Sequence, residues 1–196
     1  MKKSAAPVRR LQPGNRTTIR RAQMTKPNFK KLWSEFPDHA QYPSLKALYT
    51  ALGGAAEKNI NVPGFGPNGN TCASRMSVAF NKAGAPITKA LASAAGAQTL
   101  GTADGSRIIF RVAELRKYLL KVLGTPTIDS ASPYDDAFRG RQGIIAFSVN
   151  WQDATGHIAL WDGKAYREPD HDDYSDYVNP IDPKVKATRG EFWEIA

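Results

Sequence analysis

Two chemically reactive residues far apart in the chain, Cys72 and His157, most constrain the fold. Cys72 is the single cysteine and opens a segment with apolar residues at helical spacing, which Asn70 or Thr71 can cap. His157 follows a glycine in an apolar run that leads into an Asp-Gly turn, the pattern of a hairpin strand. A cysteine–histidine site therefore needs a fold that brings a helix start and a strand together.

The turn after His157 predicts a third member of this site. If Asp162-Gly163 forms a two-residue turn, Glu168 lies opposite His157 on the same face, with Cβ atoms about 5 Å apart. A carboxylate there would orient the imidazole and stabilise its protonated form. Asp170 is the alternative if the turn is longer. Trp161, on the same face of the strand, is predicted to border the cleft.

Each of these residues also has a structural interpretation. A lone cysteine is commonly a small buried apolar residue, and a lone strand histidine is commonly structural. The acidic run at 170–173, with Asp176, suggests a cation site, but it lacks the spacing of a calcium loop, so we interpret it as solvated. The sequence contains no zinc, phosphate-loop or dinucleotide-binding motif, and we expect no metal or organic cofactor.

The charge of the chain is concentrated at its start. The net charge is +9, and residues 1–26 contain eight basic residues and no acidic one. We predict that residues 1–26 form a basic, disordered tail and that residues 27–196 form a single domain. The tail lacks the apolar core of a secretory leader, and no stretch of the chain approaches the ~20 apolar residues of a membrane span.

The apolar periodicity predicts helices first and an antiparallel sheet second, which is an α+β fold. Residues 87–106 are interpreted as irregular or as short strands, and residues 125–140 as a loop. We predict core positions for the tryptophans other than Trp161. The predicted helices are 28–37, 44–53, 72–82 and 112–123, and the predicted strands are 107–111, 143–150 and the His157 segment.

Four segments together resemble the type VI secretion amidase effector family 4. They are 70–79, with the sequence Asn-Thr-Cys-Ala-Ser-Arg-Met-Ser-Val-Ala, 155–163, with the sequence Thr-Gly-His-Ile-Ala-Leu-Trp-Asp-Gly, and the shorter segments 58–60 and 143–147. The resemblance spans about residues 28 to 170. It implies a papain-like fold of the NlpC/P60 type, in which an N-terminal helical part carries the cysteine and an antiparallel sheet carries the histidine.

The same resemblance implies a cysteine amidase that cuts peptidoglycan stem peptides between the γ-carboxyl of D-glutamate and meso-diaminopimelate. By position, Cys72 matches the family nucleophile and His157 the family base, and Glu168 stands where the family has an aspartate, eleven positions after the histidine. We expect the Cys72 backbone N–H to stabilise the oxyanion. The implied partners are the peptidoglycan peptide, a cognate immunity protein and a type VI delivery component, without nucleic acid or membrane insertion.

These inferences predict a protein made in the cytoplasm, secreted without a leader and active in the periplasm of a target bacterium. Two alternatives stay open. One is a housekeeping NlpC/P60-type cell-wall hydrolase with the same chemistry, which the missing leader disfavours. The other is a non-enzymatic, basic-tailed binding protein in which Cys72 and His157 are structural.

Overall fold

The computed structural model describes residues 26–62, 69–131, 134–151 and 155–196. The predicted tail therefore lies outside the described residues except for its last position, as does most of the loop before Cys72. None of the described helices is long and apolar enough to span a bilayer. The described elements are, in order, α1 (Phe29–Ser34), α2 (Leu45–Leu52), α3 (Gly54–Lys58), α4 (Cys72–Lys82), α5 (Lys89–Ala94), β1 (Leu100–Gly101), β2 (Arg107–Ile108), α6 (Val112–Leu123), β3 (Ile128–Ser130), α7 (Asp135–Phe138), β4 (Gly143–Val149), β5 (Gly156–Trp161), α8 (Pro169–Asp172) and β6 (Ala187–Glu194).

Helices α2, α4 and α6 lie where the sequence predicts helices, and their ends follow from local chemistry. The hydroxyl of Ser44 caps α2 by accepting a hydrogen bond from the Ala47 N–H at 3.1 Å. Gly124 ends α6 with a φ of 90°, a conformation that favours glycine. Helix α1 starts one residue later than predicted because Asn28 is its cap, with Oδ1 accepting from the Lys31 N–H at 3.1 Å, and it ends at Ser34, before Pro37.

Several short elements lie in segments for which the sequence predicts irregular structure. Helix α5 lies within 87–106, where Thr88 caps it by accepting from the Leu91 N–H at 3.2 Å. The predicted strand at 107–111 shortens to β2, which pairs with β1 in a two-stranded ribbon. The predicted loop at 125–140 contains β3 and α7. These elements are each at most six residues long, too short for periodicity to detect.

A four-stranded antiparallel sheet, in the order β3-β6-β4-β5, forms the second half of the fold. The α+β class is therefore confirmed. Strand β6, near the end of the chain, is not predicted from the sequence, yet it pairs with both β3 and β4 and lies inside the sheet. Strand β5, which carries His157, is at one edge.

The two faces of the sheet belong to two separate parts of the core. Ile144 and Ala146 of β4 belong to the cluster built around α4 and α6. Ile145 and Phe147, which alternate with them, belong to the cluster on the other face. Because successive strand residues point to opposite faces, β4 is covered on both sides.

Gly156 permits the close approach of β5 to β4 just before His157. Its φ is +152°, and a Cβ at this position would lie 1.9 Å from the carbonyl oxygen of Phe147. Phe147 is the residue that pairs with His157 across the two strands. The glycine therefore fixes the position at which the histidine enters the sheet.

Candidate active site

Cys72 is the first residue of α4 and is buried. Thr71 occupies the N-cap position without a side-chain cap bond, and the Oδ1 of Asn70 instead accepts a hydrogen bond from the Cys72 N–H at 2.9 Å. This backbone amide is the group expected from the sequence to stabilise the oxyanion. A substrate oxyanion at this amide would have to replace the Asn70 oxygen, and the oxyanion role of the amide stays a prediction.

His157 and Asp172 form a buried pair. The Nε2 of His157 lies 2.9 Å from the Oδ1 of Asp172, and both side chains are less than a tenth exposed. The Oδ2 of Asp172 is also buried and finds no hydrogen-bond partner among the described residues. A buried carboxylate oxygen without a partner costs free energy, so its position calls for an explanation.

Cys72 and His157 line the same cavity, close enough for the charge on the sulfur to act on the imidazole. Because Asp172 engages Nε2, Nδ1 is the ring nitrogen that remains to interact with the sulfur. Burial by itself would lower the pKa of His157, but the negative charge on Cys72 and the hydrogen bonds with Asp172 and Cys72 raise that pKa to about 10. The raised pKa favours the protonated ring at neutral pH.

Tyr174 covers the other side of the histidine. Its ring stacks on His157 with centroids 4.4 Å apart and an interplanar angle of 21°. Burial, followed by the nearby negative charges of Cys72, Tyr177 and Asp172, raises the pKa of Tyr174 to about 12, so its hydroxyl stays protonated. The stack fixes the plane of the imidazole, and no local sequence pattern predicts this contact.

The predicted pairing of Glu168 with His157 is wrong, because the turn is longer than two residues. The Oδ1 of Asp162 accepts hydrogen bonds from the Lys164 and Ala165 N–H groups, each at 2.8 Å. This Asx turn makes Trp161 pair with Tyr166 rather than with Lys164.

The segment after this turn leaves the sheet as α8. Glu168 caps the helix without a side-chain bond to it, and its carboxylate contacts His39. Asp170, the alternative for a longer turn, is exposed and is not the carboxylate that pairs with His157 either. One turn of helix instead brings Asp172 to His157, so the interpretation of residues 170–173 as a solvated loop is wrong for Asp172.

Arg75 connects α4 to the loop that carries His39. Its guanidinium donates hydrogen bonds to the carbonyl oxygens of Pro37 and Tyr42, both at 2.5 Å, and to the Oγ1 of Thr71 at 2.8 Å. The side chain is 1% exposed. Burial lowers its pKa, and neighbouring carboxylates oppose that effect. A buried arginine three residues after the cysteine therefore supports one wall of the site.

These groups surround an open cavity of about 380 Å³. Its tryptophan is Trp151, which the sequence analysis placed in the core. Trp161, predicted to border the cleft, is instead in the core, where its indole N–H donates to the Phe138 carbonyl at 3.1 Å. The lining residues are Phe36, His39, Gly69, Asn70, Thr71, Cys72, Arg75, Trp151, His157, Glu168, His171, Asp172 and Tyr174.

Comparison with known proteins assigns the family. A family model described as type VI secretion system (T6SS), amidase effector protein 4, or Tae4, matches residues 68–193, which is more than half of the chain. The chain belongs to the Tae4 family. The matched range contains Cys72, His157 and Asp172, so all three members of the buried constellation lie inside the family's own region.

Solved Tae4 structures agree with this assignment. A chain of the Tae4–Tai4 type VI effector–immunity complex from Enterobacter cloacae is 30% identical, with a TM-score of 0.71, covering 88% of this chain and 100% of that one. Tae4 from Salmonella typhimurium, in complex with the immunity protein Tai4 from Enterobacter cloacae, is 27% identical, with a TM-score of 0.72, covering 87% and 100%. A comparison with curated proteins found no match.

Proposed function

We propose that the protein is a cysteine amidase that hydrolyses peptidoglycan stem peptides at the bond between γ-D-glutamate and meso-diaminopimelate. The observation that carries the proposal is the buried chain of contacts from Cys72 through His157 to Asp172, on the wall of a cavity, in a member of an amidase effector family. The sequence resemblance supports the choice of bond.

The proposed reaction has two halves. The Cys72 sulfur attacks the γ-glutamyl carbonyl carbon, and the C–N bond breaks as His157 gives its proton to the departing amine. Water then attacks the thioester, His157 takes a proton from it, and the C–S bond breaks to release the glutamyl carboxylate. Asp172 holds the imidazole with Nδ1 toward the sulfur and stabilises its charge, which is the role the sequence analysis gave to Glu168.

A papain-like fold of the NlpC/P60 type is part of the same proposal. It is supported by a cysteine at the start of a buried helix that packs against the sheet carrying the histidine. The immunity partner is supported by solved relatives that are complexes of Tae4 with Tai4. We propose delivery by a type VI machine into the periplasm of a target cell and inhibition there by a cognate immunity protein.

Digestion of purified muropeptides, followed by mass analysis of the products, tests the proposal. We expect fragments that end in D-glutamate and new fragments with a free diaminopimelate amine. Cys72→Ala should abolish them while leaving the circular dichroism spectrum unchanged. Arg139→Ala is the matched control, because this exposed arginine pairs only with a neighbouring surface carboxylate among the described residues. Undiminished cleavage by a folded Cys72→Ala protein would contradict the cysteine mechanism.

Directed expression in bacteria separates the proposed role from the alternatives. Export to the periplasm should kill the cells, and the same chain kept in the cytoplasm should be far less toxic, because peptidoglycan lies outside the inner membrane. Equal toxicity in both compartments would indicate an intracellular target, as expected for a basic-tailed binding protein.

A further inference from the structure

Beside the candidate active site, His39, Glu168 and His171 form a second cluster of side chains that the proposed reaction does not use. Each offers one donor atom, and these atoms all lie within 4.8 Å of one another. We propose that these three residues bind a divalent transition-metal ion of the zinc class. Two imidazole nitrogens and one carboxylate oxygen are a donor set typical of zinc, and leave a fourth position for water or substrate.

The carboxylate and the first imidazole are already in place. The Nδ1 of His39 lies 3.0 Å from the Oε2 of Glu168 and 3.1 Å from its Oε1. Donors on a tetrahedral zinc ion lie about 3.3 Å apart, so a metal ion can replace the proton that this pair shares. The backbone N–H of His39 also donates to Oε1 at 2.7 Å, which fixes the orientation of the carboxylate.

The second imidazole comes from the same turn of chain as the carboxylate. Glu168 and His171 are three residues apart, and the His171 N–H donates to the Glu168 carbonyl at 2.9 Å, so both side chains occupy one side of the turn. The His171 ring stacks on His39 with centroids 3.9 Å apart. Because stacked rings direct their nitrogens side by side, binding requires the exposed His171 ring to rotate toward the ion.

The surrounding charges favour a cation. The carboxylates Asp38, Glu168, Asp170 and Asp172 lie around the cluster, against the guanidinium groups of Arg75 and Arg167. Arg167 is already paired with Asp38 at 3.0 Å. Protonated His157 offsets Asp172 in the same way, and Arg75 offsets one of the two remaining carboxylates. The one excess negative charge lowers the cost of placing a doubly charged ion there.

The location connects the ion to the proposed chemistry. All three proposed ligands line the cavity that contains Cys72, and all three also line a second, neighbouring cavity. A bound ion would project its charge and its water into the space that the substrate must enter. If the protein is the amidase proposed above, zinc should therefore slow it, and a chelator should restore turnover.

Zinc binding is best measured in the full-length Cys72→Ala variant, because the free thiol and His157 offer zinc a competing site. After dialysis against a chelator, titration with ZnCl2 by calorimetry should show one ion per chain, and MgCl2 should show no binding. The matched variants His171→Ala and Glu168→Gln, made in the same background, should each weaken zinc binding at least about tenfold. Mutation of residues that only support the ligands of a metal site already lowers metal affinity by that factor.

Three results would overturn the site: no zinc binding in the Cys72→Ala background, equal zinc affinity in the His171→Ala variant, or affinity unchanged by Glu168→Gln. Because the measurement uses a chain without the thiol, it is independent of whether the protein is an amidase. Inactivity of the wild-type protein on muropeptides would instead contradict the proposed function and leave the zinc measurement intact.

Discussion

Replacing Asp172 by asparagine tests which carboxylate orients the His157 ring and stabilises its positive charge. The substitution keeps the volume of the side chain but removes the charge that lies 2.9 Å from Nε2 in a buried pair. A hydrogen bond to a charged group is worth about 1.5–3 kcal/mol. With 1.36 kcal/mol for each tenfold change in rate, kcat/KM should fall roughly 10- to 150-fold. The loss stays below the ~10⁴ seen when a serine protease loses this charge, because a thiol needs less help from its base.

The assay is cleavage of a soluble muropeptide in a buffer containing a chelator, with Glu168→Gln as the matched variant. Glu168 contacts His39 rather than His157, so its loss should cost less than Asp172→Asn does. The alkaline limit of activity should also move to lower pH in Asp172→Asn, since one of the contacts that raise the pKa of His157 is weakened. A greater loss in Glu168→Gln, or a folded Asp172→Asn protein with wild-type turnover, would refute the assignment.

Three further predictions follow from buried groups. Gly156→Ala should lower both the melting temperature and kcat/KM, because its Cβ would lie 1.9 Å from the Phe147 carbonyl oxygen; an unchanged melting temperature would contradict this close approach. The pKa of His157 is raised to about 10, so the stability from its protonated form is fully present below pH ~6.5 and lost toward pH 10. Melting temperatures measured from pH 6 to 10 should show a flatter loss in Cys72→Ala, and parallel curves would count against the contact. Arg75→Met should destabilise the fold by about 3 kcal/mol in urea titrations, because the buried Pro37 carbonyl and the part-buried Tyr42 carbonyl lose a charged donor; a loss below ~0.5 kcal/mol would show that the guanidinium is dispensable.

The helices that carry the site could be predicted because their signals are local. Ser44 and Gly124 mark helix ends through their own chemistry, and the apolar spacing after Cys72 extends over the whole of α4. Strand β6 could not be predicted in the same way. Its place inside the sheet depends on pairing with β3 and β4, which lie tens of residues earlier, and such partners leave no local pattern.

The prediction that Glu168 pairs with His157 fails because of a single assumption about the length of the turn. An Asp-Gly pair is the usual signal of a two-residue hairpin, but here the Asp162 side chain accepts two backbone hydrogen bonds and closes a longer loop. A shift of register by two residues moved Glu168 away from His157. Since Asp172 reaches the histidine from a helix, no strand alternation could have identified it.

The short helix α8 contributes one side chain to each of two neighbouring clusters, His171 to the proposed metal site and Asp172 to the pair with His157. Successive residues on a helix point about 100° apart, so His171 and Asp172 face different directions from one turn. His171 faces His39, and Asp172 faces His157. The proposed metal site and the candidate catalytic pair therefore use adjacent residues of one four-residue helix without sharing a side chain.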